Sequence, residues 1–263
     1  MTMPIATLTT VRPGAGPTPL VLLHAFPFDS RMWHQVAELV PAPTPVLVVD
    51  LPGTPAHAAD LPEASLDTAA DAVARLLSEA GIRRAVVAGL SMGGYVALAL
   101  LERHPDLVAG LGLLDTKSVA DTTDAAERRL ATAAALEAGG TLDAVLPAVE
   151  GLLGDTTRTA RPEVVDRVLG WARDQVPAGL AWSQRAMAAR PDRTEVLRRF
   201  PGPVTVVVGD EDAVTPVEQA REMALTARAT LVVVPAVGHL SAVEDPAAVA
   251  AALSELVLRS REA

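Results

Sequence analysis

Apolar positions along the chain follow two alternating rhythms. Short unbroken apolar runs at 19–24 (PLVLLH), 45–50 (PVLVVD), 85–89 and 110–114 read as strands covered on both faces, because a run with no polar side leaves nothing for water. Between them lie stretches with helical spacing. Residues 30–40 predict a helix with Ser30 as N-cap. Residues 65–80 predict an amphipathic helix capped by Ser65, with Leu66, Ala69, Ala70, Val73, Leu77 and Ala80 on one stripe and Gly81 as its stop. Residues 95–101 are apolar all round and read as a buried helix that ends at His104-Pro105. Strands alternating with helices predict an α/β fold built on a parallel sheet.

The alternation stops at Thr116. From there to about Phe200 the pattern is helical: 124–138 ending at Gly139-Gly140, 141–153 with Pro147 as a kink, a helix opened by Pro162-Glu163, and 178–190 before Pro191. After Pro201-Gly202-Pro203, strands return at 204–208 and 230–234. Thr215-Pro216 opens a helix to 227, and Asp245-Pro246 opens the last one, to 259. The division expected is an α/β core of residues 1–115 and 201–263, with 116–200 inserted as a helical cap.

Composition narrows the chemistry. With 263 residues the chain can bury a large core. Mean hydropathy is +0.30, but much of that is alanine, and no window is apolar enough for a membrane span. A net charge of −10 argues against nucleic-acid partners and anionic membrane surfaces. The absence of cysteine removes disulfides, thiol nucleophiles and thiolate metal sites. The start, MTMPIATLTT, has no basic or apolar leader pattern, so a cytoplasmic location is expected. None of the five histidines pairs at metal-ligand spacing, so no metal is expected.

The candidate chemistry centres on Gly89-Leu90-Ser91-Met92-Gly93, a G-x-S-x-G run between a strand and a helix. Such a turn forces a positive φ on Ser91, raises its hydroxyl above the carboxyl edge of the sheet and aims the helix N–H groups at it. The serine needs a base, and His239 follows the last strand in Gly238-His239. An acid that orients the imidazole comes from Gly209-Asp210-Glu211-Asp212. Asp212 ranks first because it lies deepest in that loop, with Asp210 and Asp115 as rivals. The oxyanion hole takes backbone N–H groups from Met92 and from Phe26 in the loop His24-Ala25-Phe26-Pro27.

These runs, together with Asp50-Leu51-Pro52-Gly53 and Gly94, resemble the α/β-hydrolase superfamily over nearly the full chain. Within it the chain is similar to small capped bacterial esterases and lactonases of the 3-oxoadipate enol-lactonase and pimeloyl-ester carboxylesterase type. The resemblance implies a mostly parallel eight-stranded sheet with a helical cap, a Ser91–His239–Asp212 triad with Phe26 and Met92 at the oxyanion, and no cofactor. His24-Ala25 stands where that family usually has His-Gly, and Pro55 where it more often has glycine. The substrate expected is a small to medium apolar carboxylic ester or lactone, with Leu180, Trp182 and Met187 lining its pocket. Arg185 and Arg190 are either receptors for a substrate carboxylate or solvated helix charges. The same triad also serves perhydrolysis or C–C bond hydrolysis, and a silent small-molecule receptor could keep the frame without the chemistry. The partner expected is the small-molecule substrate, on a monomer or homodimer.

Overall fold

A computed structural model describes residues 5–261. Strands β1 (Thr7–Arg12), β2 (Leu20–Leu23), β3 (Val46–Asp50), β4 (Ala85–Leu90), β5 (Val108–Leu114), β6 (Val204–Gly209) and β7 (Thr230–Val234) form one sheet in the order β1-β3-β2-β4-β5-β6-β7. All neighbours run parallel except β1, which pairs antiparallel with β3. The expected count of eight strands is therefore corrected to seven among the described residues. Strand β1 gives no apolar signal because TLTTVR is an edge strand with exposed and half-exposed positions and no face covered throughout.

Alternate residues of the central strands feed two apolar layers. Leu20 and Leu22, Val46 and Val48, Val86 and Ala88 face one side, with helices α1 (His34–Leu39) and α12 (Pro246–Arg259) over them. Val21 and Leu23, Leu47 and Val49, Ala85 and Val87 face the other. There α2 (Leu66–Glu79), α3 (Met92–Arg103) and, further along, α10 (Val217–Ala227) cover them. Burial on both faces is why these strands read as unbroken apolar runs. Helix α3 packs against the sheet, α2 and α9 (Thr194–Arg199), with Met92 through Leu101 all buried, which explains its lack of a polar stripe.

Between β5 and β6 come α4 (Thr123–Glu137), α5 (Leu146–Glu150), α6 (Asp155–Ala160), α7 (Pro162–Arg173), α8 (Pro177–Ala188) and α9 (Thr194–Arg199), with α11 (Ser241–Glu244) following β7. Two sequence expectations change. The helix expected from Ser30 starts as a 3₁₀ turn over Ser30–Trp33, and Asp29 caps it by accepting from the Arg31 N–H at 3.1 Å. The helix expected over 141–153 splits into a 3₁₀ turn at Leu142–Ala144 and then α5, so Pro147 falls in a first turn where its missing N–H is not needed.

Entry to and exit from the inserted helices are fastened together. The Arg193 N–H donates to Ser118 O at 2.9 Å, and Arg190 grips Asp121 through both terminal nitrogens at 2.8 Å. Both side chains of that pair are buried, and the guanidinium lies 4.0 Å from the centre of the Tyr95 ring. Arg190 is thus neither a receptor for a substrate carboxylate nor a solvated charge, and Arg185 pairs with exposed Glu137. Removing one partner of a buried ion pair leaves the other uncompensated, so Asp121→Ala is expected to cost about 3 kcal/mol or more in urea unfolding.

Candidate active site

The strand order reverses between β2 and β4: β3 lies to one side of β2, β4 and β5 to the other. Loops leaving the carboxyl ends of strands on either side of such a reversal splay apart and leave a crevice. Ser91 follows β4 directly. Its φ of 51° and ψ of −111° lie outside the ordinary regions, a conformation that costs about 1–3 kcal/mol and persists only where the surroundings enforce it. They do so here: the Ser91 N–H donates to Leu114 O at 2.9 Å, and the Thr116 hydroxyl donates to Ser91 O at 2.8 Å. Both flanking glycines are required sterically. A Cβ on Gly89 would overlap the Gly93 carbonyl, and one on Gly93 would overlap the Leu23 carbonyl.

The Ser91 Oγ is 2.9 Å from His239 Nε2, and His239 Nδ1 is 2.8 Å from Asp212 Oδ2. Three loops, with Ser91 148 residues before His239 and Asp212 27 residues before it, thus meet in one hydrogen-bonded chain. Asp212 is fully engaged. Oδ2 also accepts from the Thr215 hydroxyl at 2.6 Å, while Oδ1 accepts from the N–H groups of Val214 and Thr215 at 2.8 and 2.9 Å. The role of the Thr215 hydroxyl escapes the sequence reading. Its signal is the Asp-x-x-Thr spacing, in which an aspartate accepts from main-chain N–H groups two and three residues on.

Burial alone would raise the Asp212 pKa, but the hydrogen bonds from His239 and Thr215 and the charge of the imidazolium outweigh it and hold the carboxyl below its ordinary value. For His239 burial acts to lower the pKa, yet the hydrogen bond to Asp212 and the charges of Asp212, Asp115 and Glu244 raise it above the ordinary value. Both shifts favour an imidazolium–carboxylate pair.

The rival carboxylates are placed differently. Asp210 accepts from the Ala236 N–H at 2.7 Å, closing a turn. Asp115, fully buried at the end of β5, accepts from the Gly209 N–H at 3.0 Å and hydrogen-bonds the Ser241 hydroxyl at 2.5 Å without meeting the imidazole. Its burial, with the nearby charge of Asp212, pushes its pKa up to about 8. Among the other histidines, His24 is buried with its pKa lowered by that burial. It accepts from the Leu51 N–H at 3.0 Å, which ties the Phe26 loop to the loop after β3. His104 lies 2.7 Å from Asp71 at the end of α3.

The Phe26 loop and the first turn of α3 face each other across the reversal point. Among the described residues neither the Phe26 N–H nor the Met92 N–H meets an acceptor, whereas the Gly94 and Tyr95 N–H groups both donate to Ser91 O. Leu180, Trp182 and Met187 are buried on α8. The Trp182 indole N–H donates to Pro62 O at 2.8 Å, and Met187 Sδ accepts from Arg129 at 3.4 Å, so both also fasten α8 to its neighbours. Among the described residues no helix is long and apolar enough to cross a membrane.

Residues 20–252 match the model of the alpha/beta hydrolase family. A thermophilic esterase from Thermogutta terrifontis superposes with a TM-score of 0.89 at 32% identity, covering 97% of this chain and 93% of that one. The pimeloyl-[acyl-carrier protein] methyl ester esterase of Neisseria meningitidis is 33% identical over 74% of this chain and 75% of its own length. The dihydrolipoyllysine-residue acetyltransferase component of the acetoin cleaving system of Pseudomonas putida is 30% identical over 88% of this chain, which spans only 61% of that protein. With a match over most of its length, together with the strand order and the serine turn, the chain belongs to the alpha/beta hydrolase family.

Proposed function

We propose that the protein is a serine hydrolase that cleaves a small to medium apolar carboxylic ester or lactone through an acyl-enzyme. One observation carries this reading: the hydrogen-bonded chain from Ser91 Oγ through His239 to Asp212, with the serine held in a strained turn that a binding module has no use for.

In the first half-reaction Ser91 Oγ attacks the ester carbonyl carbon while His239 Nε2 takes its proton. Asp212 holds Nδ1–H and stabilises the imidazolium that forms. The carbonyl oxygen becomes an oxyanion, received by the N–H groups of Phe26 and Met92, whose freedom from internal acceptors supports that role. The tetrahedral adduct collapses, the C–O bond to the alcohol breaks, and His239 returns the proton to the departing alkoxide. Water then attacks the acyl-serine by the same route and releases the acid.

The inserted helices form a cap over the site in this reading, and α8 supplies its apolar wall. Leu180, Trp182 and Met187 belong to the apolar clusters that hold Phe26 and Met92, which supports an acyl group packed against them. A panel of p-nitrophenyl esters from acetate to dodecanoate tests the proposal. Turnover with an optimum at short to medium chains is expected, and no turnover on any ester or lactone contradicts it.

The pH dependence follows from the raised His239 pKa. Only the neutral imidazole accepts the serine proton. The activity kcat/KM is therefore low at acid pH, rises as His239 deprotonates, and levels off above a midpoint higher than the ordinary histidine value of about 6.5. A kcat/KM profile over the neutral range measures that midpoint.

A further inference from the structure

The loops that carry His239 and Asp212 are both bound to one short stretch of the inserted helices, residues 152–156. The His239 N–H donates to Leu152 O at 2.8 Å. Thr156 donates to Glu211, beside Asp212, through its N–H at 2.8 Å and its hydroxyl at 2.5 Å. Glu244, buried on α11, lies between them. Its Oε2 accepts from the Gly154 N–H at 3.0 Å, and its Oε1 accepts from the N–H groups of Gly238 and Leu240 at 3.0 and 3.2 Å. Those last two N–H groups flank His239 in the chain. Gly154 and Gly238 approach so closely that a Cβ on either would collide with the main chain of the other.

We propose that Glu244 is a positioning residue for the reaction: its carboxylate fixes the main chain on both sides of His239 and locks that chain to the inserted helices at Gly154, keeping the imidazole in line between Ser91 and Asp212. This rests on the reading of Ser91, His239 and Asp212 as the reacting chain. A buried carboxylate must have its lone pairs occupied, and here the donors are main-chain N–H groups. An amide of the same size cannot substitute, because its NH₂ would face an N–H. On this account the insertion does more than cover the substrate: its 152–156 segment helps hold the base in place.

Asp212, hydrogen-bonded to Nδ1, acts most strongly to raise the imidazole pKa, and Asp115 at the end of β5 and Glu244 on α11 add to it through their charges where they are ionised. Glu211 is turned to Thr156, and the Arg161 guanidinium meets the main-chain carbonyl of Glu244 at 2.5 Å. Loss of the Glu244 charge therefore moves the His239 midpoint down, whereas loss of alignment alone lowers the rate without moving it.

The test compares wild type, Glu244→Gln and Gly154→Ala as full-length proteins on a p-nitrophenyl ester, with labelling of Ser91 by an organophosphonate as a second readout. In Glu244→Gln, kcat is expected to fall by about 10²-fold with KM little changed, the scale of loss when a reacting group is displaced by about an ångström. The pH midpoint shifts to lower pH and phosphonate labelling slows in step. Gly154→Ala, which pushes the segment off Gly238 with no change of charge, is expected to lower kcat at an unmoved midpoint. Wild-type kcat, midpoint and labelling rate in Glu244→Gln, even with a lowered Tm, overturn the proposal. If Glu244→Gln does not fold, wild-type kcat in Gly154→Ala overturns it. Wild type that fails to label at Ser91 overturns the functional reading instead.

Discussion

Replacing Ser91 with alanine is expected to lower kcat by about 10⁶-fold on any ester the wild type turns over, with the fold intact. The size follows from the cooperation of the chain. Without the hydroxyl, His239 has no proton to take and the proposed acyl-enzyme cannot form, so the remaining members of the proposed site contribute little alone. The same substitution keeps a Cβ in the strained turn, and the backbone bonds to Leu114 and from Thr116 remain, so little loss of stability accompanies the loss of rate. Steady-state kinetics with thermal unfolding as a control measure both. A variant retaining a tenth of wild-type activity contradicts the assignment.

Asp212→Asn is expected to cost about 10⁴-fold in kcat, because an asparagine NH₂ facing Nδ1 turns the imidazole to the tautomer that cannot accept from Ser91. Asp210→Asn disturbs only a turn to Ala236 and is expected to be mild. Asp115→Asn leaves the imidazole untouched but sets an NH₂ against the N–H of Gly209 or Ser241, so it is expected to lose stability while remaining well above Asp212→Asn in activity. The order of the three rates, measured on one substrate, identifies the orienting acid. Asp115→Asn as the most damaged variant would move that role to the end of β5.

The placement of Ser91, His239 and Asp212 was legible because strand runs, a strained turn and loop order are local signals, and a parallel sheet collects its loops at one edge. The ranking of Asp212 above Asp115 and Asp210 rests in sequence on loop depth alone, since all three follow the carboxyl ends of strands and only side-chain direction separates them. Elements with one face in water or very short lengths also escaped. The strand β1 is an exposed edge, and α6 and α9 are six residues each, too short for a periodic stripe. Arg190 reads in sequence as either a receptor for a substrate carboxylate or a solvated helix charge; its burial against Asp121 and Tyr95 depends on two distant segments meeting. Glu244 lies five residues beyond His239, and nothing in its neighbours shows that three main-chain N–H groups from separate parts of the chain converge on it.

The central claim is that Ser91 is the nucleophile of an acyl-enzyme hydrolase. Treatment of the full-length protein with an organophosphonate, followed by peptide mass mapping and residual esterase activity, tests it most directly. The account predicts one adduct, on the peptide containing Ser91, with activity lost in proportion to labelling and no adduct in Ser91→Ala. Ester turnover that survives full labelling, or inactivation with the adduct on another residue, would contradict it.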